Sequence, residues 1–354
     1  MKRIQELDAL RGLAALMVVL FHFTLHRSEA ELGFKLGSTG VDLFFIISGF
    51  VISMSLHSVK DGLTFVINRA ARLYPTYWAA VTFTFILIRI MNSNENTLFH
   101  MIEYLGNMSM FQFYLDIPDL DVPYWTMIVE MLFYIVMLVL FKLNLLRHIR
   151  LIGAAVCLMV TIFSVFFWSD HTQSVFELMP LLQFFPLFFA GIMFYQIYST
   201  QHDRYLNYLL IIGCLICQIL LFNHAGRSRL VIDHMSYSVM LVIFFFLFTL
   251  FVNNKLKFIV TKPTLFLGKI SFALYLVHQF VSIGIIFPYF VDKLHYNFWV
   301  ITLGVALPTV IGISTLITYK IEIPFGVKMK EKLRSNFYGD NSRFDKRLWR
   351  FEWI

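Results

Sequence analysis

Arg11 and His22 are the chemistry-bearing pair of this chain, a guanidinium and an imidazole set eleven residues apart within the otherwise apolar stretch 10–23. Eleven helical residues make about three turns, so both side chains project from one face, roughly 16 Å apart along the axis. An ionisable group at membrane depth costs at least ~2.5 kcal/mol on insertion scales, and such groups mark function. A snorkelling arginine or a packed histidine accounts for either residue alone. The pair on one face of one span points to catalysis or ligand binding.

Further polar groups recur at comparable depths. Asp42 opens the second apolar run, where it can meet His22 across a hairpin. A carboxylate on one imidazole nitrogen fixes the tautomer and raises the basicity of the other, as a general base needs. Capping its own helix is the competing use. Glu130 lies about two turns into the fourth run with Tyr134 on the same face, a candidate catalytic carboxylate. Ser271, Tyr275, His278 and Ser282 draw a polar stripe at i, i+4, i+7 and i+11 that lipid cannot satisfy. Arg69 and Arg72 share a helical face and can grip phosphate, although anchoring on the inner side of a membrane also explains them. His22 and His26 have the spacing of a metal pair, with Glu29 and Glu31 nearby, but nothing else completes a closed site and no metal is expected. Cys214 and Cys217 are expected to pack in the core.

These residues must be carried by membrane helices. The chain has 354 residues, of which 58% are hydrophobic and 14% charged, with a mean hydropathy of +0.71. Soluble domains are about one quarter charged. Ten runs are long and apolar enough to span a bilayer: 9–25, 40–58, 73–91, 123–142, 151–168, 178–198, 205–223, 231–252, 268–291 and 297–320. The expected fold is all-α, a polytopic helical bundle of about ten transmembrane helices with both termini cytoplasmic. In that topology 23 of the 29 lysines and arginines fall on the inner side, as the positive-inside rule requires. The net charge of +7 therefore reflects topology, and no nucleic-acid partner is expected.

The first run is expected to be a retained span, because Arg11 interrupts it and no small-residue cleavage site follows. A membrane domain over 1–325 precedes a basic tail, 326–354, whose Trp349, Phe351 and Trp353 suit an anchor on anionic lipid. The outer loop 92–122 carries Glu95, Glu103, Asp116, Asp119 and Asp121 and no Lys or Arg, which suits an acceptor entrance or a solvated loop.

Five segments, in order, resemble the integral-membrane acyltransferase family 3. They are Leu7-Asp8-Ala-Leu-Arg11-Gly12 followed by His22; Gly40-Val-Asp42-Leu-Phe-Phe through Ser48-Gly49; Arg69-x-x-Arg72; Trp125 through Glu130 with Phe133-Tyr134; and Ser271-Phe-Ala-Leu-Tyr275-Leu-Val-His278. Together they cover nearly the whole membrane region. Two positions depart from the family pattern: Met131 follows Glu130 where paired carboxylates are common, and Val277 stands where an aromatic residue is common. Neither touches the Arg11–His22 pair.

The resemblance implies a bacterial plasma-membrane (inner-membrane) enzyme that O-acylates an extracytoplasmic or lipid-linked saccharide, usually with acetyl from acetyl-CoA. Arg11, Arg69 and Arg72 are then expected to hold the coenzyme's phosphates, with Tyr275 and His278 also on the cofactor side. His22 is expected to deprotonate the acceptor hydroxyl, with Asp42 orienting it and Glu130 in the catalytic set. Acceptors other than saccharides, such as a small molecule or a lipid, and assembly into a homo-oligomer stay open. Two other classes compete. A proton-coupled transporter also buries His, Asp, Glu and Arg, but an inverted repeat or matching broken spans are not evident. In a membrane scaffold the same groups only join helices.

Overall fold

The computed structural model describes residues 4–91, 97–200, 203–224 and 226–338. Among them every regular element is helical and no strand occurs. Nine segments are long and apolar enough to cross a membrane: Gln5–Thr24, Phe34–Ser58, Gly62–Met91, Val122–Lys142, Leu145–Phe166, Arg204–Leu221, His234–Val252, Lys262–Lys293 and Phe298–Tyr338. The chain is a polytopic helical membrane protein.

The helices are α1 (Gln5–Thr24), α2 (Gly40–Ser58), α3 (Gly62–Met91), α4 (Thr97–Asn107), α5 (Trp125–Lys142), α6 (Ile149–Phe166), α7 (Asp170–Leu178), α8 (Phe185–Ser199), α9 (Arg204–Leu221) and α10 (His234–Val252). Two long helical segments follow, α11 (Lys262–Lys293) and α12 (Phe298–Tyr338). The expected span at 178–198 is instead a short 3-10 turn, Pro180–Gln183, followed by the 15-residue α8. Pro186 in its first turn has no N–H to bond backwards, so helix starts there rather than running on from residue 178. At ~22 Å, α8 is shorter than a usual span.

Contacts divide the chain into two units, one of Gln5–Gly62 with Val129–Leu265, the other of Leu63–Ile128 and Phe266 onwards together with the first four residues. In the first unit α2 is the central helix. Glycine lets its backbone touch its neighbours: a Cβ at Gly49 would strike the Phe188 carbonyl, one at Gly191 the Ile46 carbonyl, and one at Gly40 the Ala14 carbonyl. Helix α8 is buried on almost every side, as its uniformly apolar sequence demands. Phe45, Phe133 and Phe188 interlock around it, the last two stacked at 4.2 Å between ring centroids. Cys157, Cys214 and Cys217 are buried where α6 meets α9.

In the second unit the expected outer loop is largely ordered and returns along α3. Helix α4 lies against the second half of α3, with Phe85 on Tyr104, Thr82 bonded to Tyr104, the Trp78 indole donating to Met108 O at 2.9 Å, and the Tyr74 hydroxyl donating to Ser109 O. The chain beyond α4 is pinned by Asn107, whose amide donates to Pro118 O and accepts from Leu120 N. Glu95 of that loop lies outside the described residues. Helix α11 changes from α to π winding after Gln279, before Pro288, which supplies no N–H. There the Phe280 amide donates to the Asp121 carboxylate at 3.2 Å. Residues 326–338 of the expected tail continue α12 as helix, while Trp349, Phe351 and Trp353 lie outside the described residues.

Candidate functional site

In the first unit His22 stands in the last turn of α1, half-buried, its ring 4.7 Å from that of Phe21. Its Nδ1 lies 2.9 Å from the Val18 carbonyl oxygen, one turn back. A carbonyl oxygen only accepts, so Nδ1 carries the proton and Nε2 of the neutral ring holds the basic lone pair. The helix itself thus sets the tautomer. Arg11 is half-buried on the same helix. Helix α1 ends at Thr24 and His26 takes a left-handed backbone (φ 62°), so the i, i+4 face that His22 and His26 would share as a metal pair does not form. Among the described residues no three His, Cys, Asp or Glu side chains are grouped to hold a metal.

Asp42, in the first turn of α2, is 2% exposed. Its Oδ1 accepts from the Tyr237 hydroxyl of α10 at 3.4 Å, and this is the side-chain partner the structure gives it in place of the expected His22. Its Oδ2 is buried with no hydrogen-bond partner among the described residues. Leaving such an atom unmet costs ~1–3 kcal/mol. The Tyr237 hydroxyl in turn accepts from the Gln218 amide of α9, which also donates to Gln183 O at 3.1 Å, while Gln183 Oε1 holds Gly226 N. Gln218 and Tyr237 carry no motif: Gln218 reads as a single amide in an apolar span, and Tyr237 stands between Ser236 and Ser238 near the start of another.

Glu130 joins Ser48 and Tyr134. The Ser48 hydroxyl of α2 donates to Glu130 Oε1 at 2.9 Å, and the Tyr134 hydroxyl, one turn along α5, donates to the same oxygen. Two donors on one oxygen hold the carboxylate in place. Segments eighty residues apart thus meet at one half-buried carboxylate.

In the second unit Arg69 and Arg72 sit half-buried one turn apart on α3. Arg72 forms an ion pair with Glu322 of α12, a carboxylate 3% exposed that also accepts from Thr318. The Arg72 guanidinium lies 5.9 Å from the Phe272 ring centre. Glu322 was not singled out in the sequence, where it reads as a carboxylate near the end of a span. On α11 Ser271 donates to Gly268 O, and fully buried His278 has Nδ1 within 2.8 Å of Tyr275 O and 3.2 Å of Leu274 O. Tyr275 is buried beside it, the two rings 6.0 Å apart.

The chain matches the acyltransferase domain of family 3 over residues 4–319. It is 24% identical over 290 residues to a candidate acetyltransferase of Acidianus two-tailed virus, covering 76% of this chain and 80% of that protein. It is 28% identical over 200 residues to BcsY of Komagataeibacter xylinus, named as a candidate membrane-bound transacylase, covering 52% of this chain and 50% of that protein. No solved structure matches it. With a family domain spanning nearly all of its membrane helices, the chain belongs to the acyltransferase 3 family and is a multi-pass membrane enzyme that transfers acyl groups.

Proposed function

We propose that this protein transfers an acyl group, acetyl in the simplest case, from cytoplasmic acyl-CoA to a hydroxyl of an extracytoplasmic or lipid-linked saccharide, with His22 as general base. The observation that carries the reading is the contact between His22 Nδ1 and Val18 O, because it puts the proton of the neutral ring on Nδ1 and the basic lone pair on Nε2. The acceptor O–H gives its proton to Nε2, and its oxygen attacks the thioester carbonyl carbon. The C–S bond then breaks, and the proton leaves with the coenzyme thiol. Glu130, fixed by Ser48 and Tyr134, belongs to the catalytic set on the same unit as His22. Arg11, Arg69 and Arg72 are assigned to the coenzyme's phosphates. The ion pair with the Glu322 carboxylate holds the Arg72 guanidinium in place. Tyr275 and His278 are assigned to the coenzyme's pantetheine side. Both termini face the cytoplasm of a bacterial cell in this reading, and the basic 326–354 segment lies on the inner leaflet.

The test is acyl transfer from radiolabelled acetyl-CoA in proteoliposomes supplied with host glycan or lipid-linked saccharide. Label in the saccharide with wild type, and none with folded His22→Ala, supports the reaction and the base together. Solute or proton flux with no acyl product would put a proton-coupled transporter in its place.

A further inference from the structure

Ser164 Oγ and both amide atoms of Asn207 are buried in the first unit with no hydrogen-bond partner among the described residues, and three further such atoms belong to residues on or next to the Asp42–Tyr237–Gln218 chain. Asp42 Oδ2, Gln218 Oε1 and Ser38 Oγ have no hydrogen-bond partner among the described residues. Asp42 and Gln218, 2% and 1% exposed, both contact the Tyr237 hydroxyl, at 3.4 and 3.2 Å. Ser38 lies one turn before Asp42. Its neighbour Gly37 packs on the Met17 carbonyl and the Phe21 Cβ, one residue before His22. The cluster therefore sits beside the end of α1 that carries the proposed base.

The chemistry of the unmet atoms says what is missing. A carboxylate oxygen and an amide oxygen both accept, so neither can satisfy the other. Turning the Gln218 amide over does not help, because its nitrogen faces the Gln183 carbonyl, which needs a donor. What fits is a group bringing O–H donors, with acceptor capacity for Ser38. A polyhydroxylated ring supplies both.

We propose that Asp42, Ser38, Gln218 and Tyr237 form the recognition site for the hydroxyls of the acyl acceptor, with Tyr237 and Gln218 as specificity-determining residues. The assignment rests on the acyl-acceptor reading above. It gives Asp42 a place at the acceptor, two turns from Ser48 along α2. It also explains why a carboxylate is kept in so apolar a setting with only one oxygen engaged.

The experiment is binding of methyl β-D-glucoside to the full chain in nanodiscs by calorimetry, with the per-O-methylated glucoside as a comparator that lacks O–H donors. Wild type is expected to bind the first and not the second. Tyr237→Phe and Gln218→Leu are expected to weaken binding about 3- to 10-fold, the worth of one hydrogen bond. Thermal unfolding accompanies each variant; if either fails to fold, Ser38→Ala serves, with a loss of about 3-fold. Equal binding of both glucosides, no binding of either, or unchanged affinity in folded variants overturns the proposal. Acyl transfer is measured in parallel. A wild type that transfers nothing while binding glucoside through Tyr237 sinks the reaction and leaves the hydroxyl site. A wild type that acylates a saccharide with unchanged acceptor KM in the variants sinks the site and leaves the reaction.

Discussion

Arg72 on α3 and Glu322 on α12 form an ion pair in which the carboxylate is 3% and the arginine side chain 11% exposed. The pair ties two helices that are 250 residues apart in sequence, and it turns one arginine of the Arg69-Ala-Ala-Arg72 segment toward a fixed partner. Removing only the carboxylate leaves a desolvated guanidinium behind, at a cost of about 3–5 kcal/mol. Glu322→Gln is therefore expected to lower the unfolding temperature sharply. An additional Arg72→Met is expected to recover much of that loss while leaving the coenzyme KM raised. Thermal unfolding and acyl-CoA kinetics on the single and double variants check both.

Ser48 and Tyr134 donate to the same oxygen of Glu130, so their effects are coupled. Ser48→Ala and Tyr134→Phe each remove one donor, at about 1 kcal/mol. The double variant leaves Oε1 with neither and is expected to lose more than the sum of the two, in stability and in kcat. A strictly additive cycle would show that the two donors do not share one oxygen.

Gly49 and Gly191 meet where α2 crosses α8, each against the other helix's backbone. An alanine methyl at either position has backbone on the far side and no flexible side chain to displace. Gly49→Ala and Gly191→Ala are each expected to destabilise the fold by at least about 2 kcal/mol. By contrast Gly213→Ala, which meets nothing within 4 Å, is expected to leave stability unchanged or slightly raised. Thermal unfolding in one detergent compares the three.

Asp121, ahead of α5, holds the Phe280 amide, and burial pushes its carboxyl from 3.8 up to about 7, with the Asp119 charge adding to the rise. A folded-state value above the unfolded one means that the folded chain binds the extra proton. The stability this contributes is complete below about pH 4 and is lost as pH rises toward 7. Asp121→Asn keeps an acceptor for Phe280 without a titrating group. The wild-type unfolding temperature is expected to fall, relative to the Asn variant, between about pH 4 and 7 and to hold a constant offset above. A difference that does not vary with pH contradicts this.

The spans were legible because bilayer thickness dictates the length of an apolar run, and nine of the expected stretches correspond to long helices. The exception was 178–198, where Pro186 sets the start of a shorter helix buried on almost every side. His22 was visible as a polar residue in an oily helix. Its orienting partner was not, because the Val18 carbonyl has no residue signature. Asp42 could be placed near one helix end from its position, but the choice between His22 and Tyr237 depends on how α10 packs against α2. Glu322 and Gln218 were hidden for the same reason: a lone polar residue in a span gains meaning only from the helix facing it. The return of residues 97–124 along α3 was obscured by four acidic side chains, Glu103, Asp116, Asp119 and Asp121, which made the segment look solvated.

The central claim is that His22 takes the acceptor's proton through Nε2 while Val18 O holds Nδ1. It is tested most directly by the pH profile of acyl transfer from radiolabelled acetyl-CoA to host saccharide in proteoliposomes, for wild type, His22→Gln and His22→Ala. Wild type is expected to show an acid limb that reports the imidazole. The two variants, folded by thermal unfolding, are expected to lose about 10²- to 10⁴-fold in kcat together with that limb. Transfer by folded His22→Ala at the wild-type rate, with the same acid limb, would contradict the account.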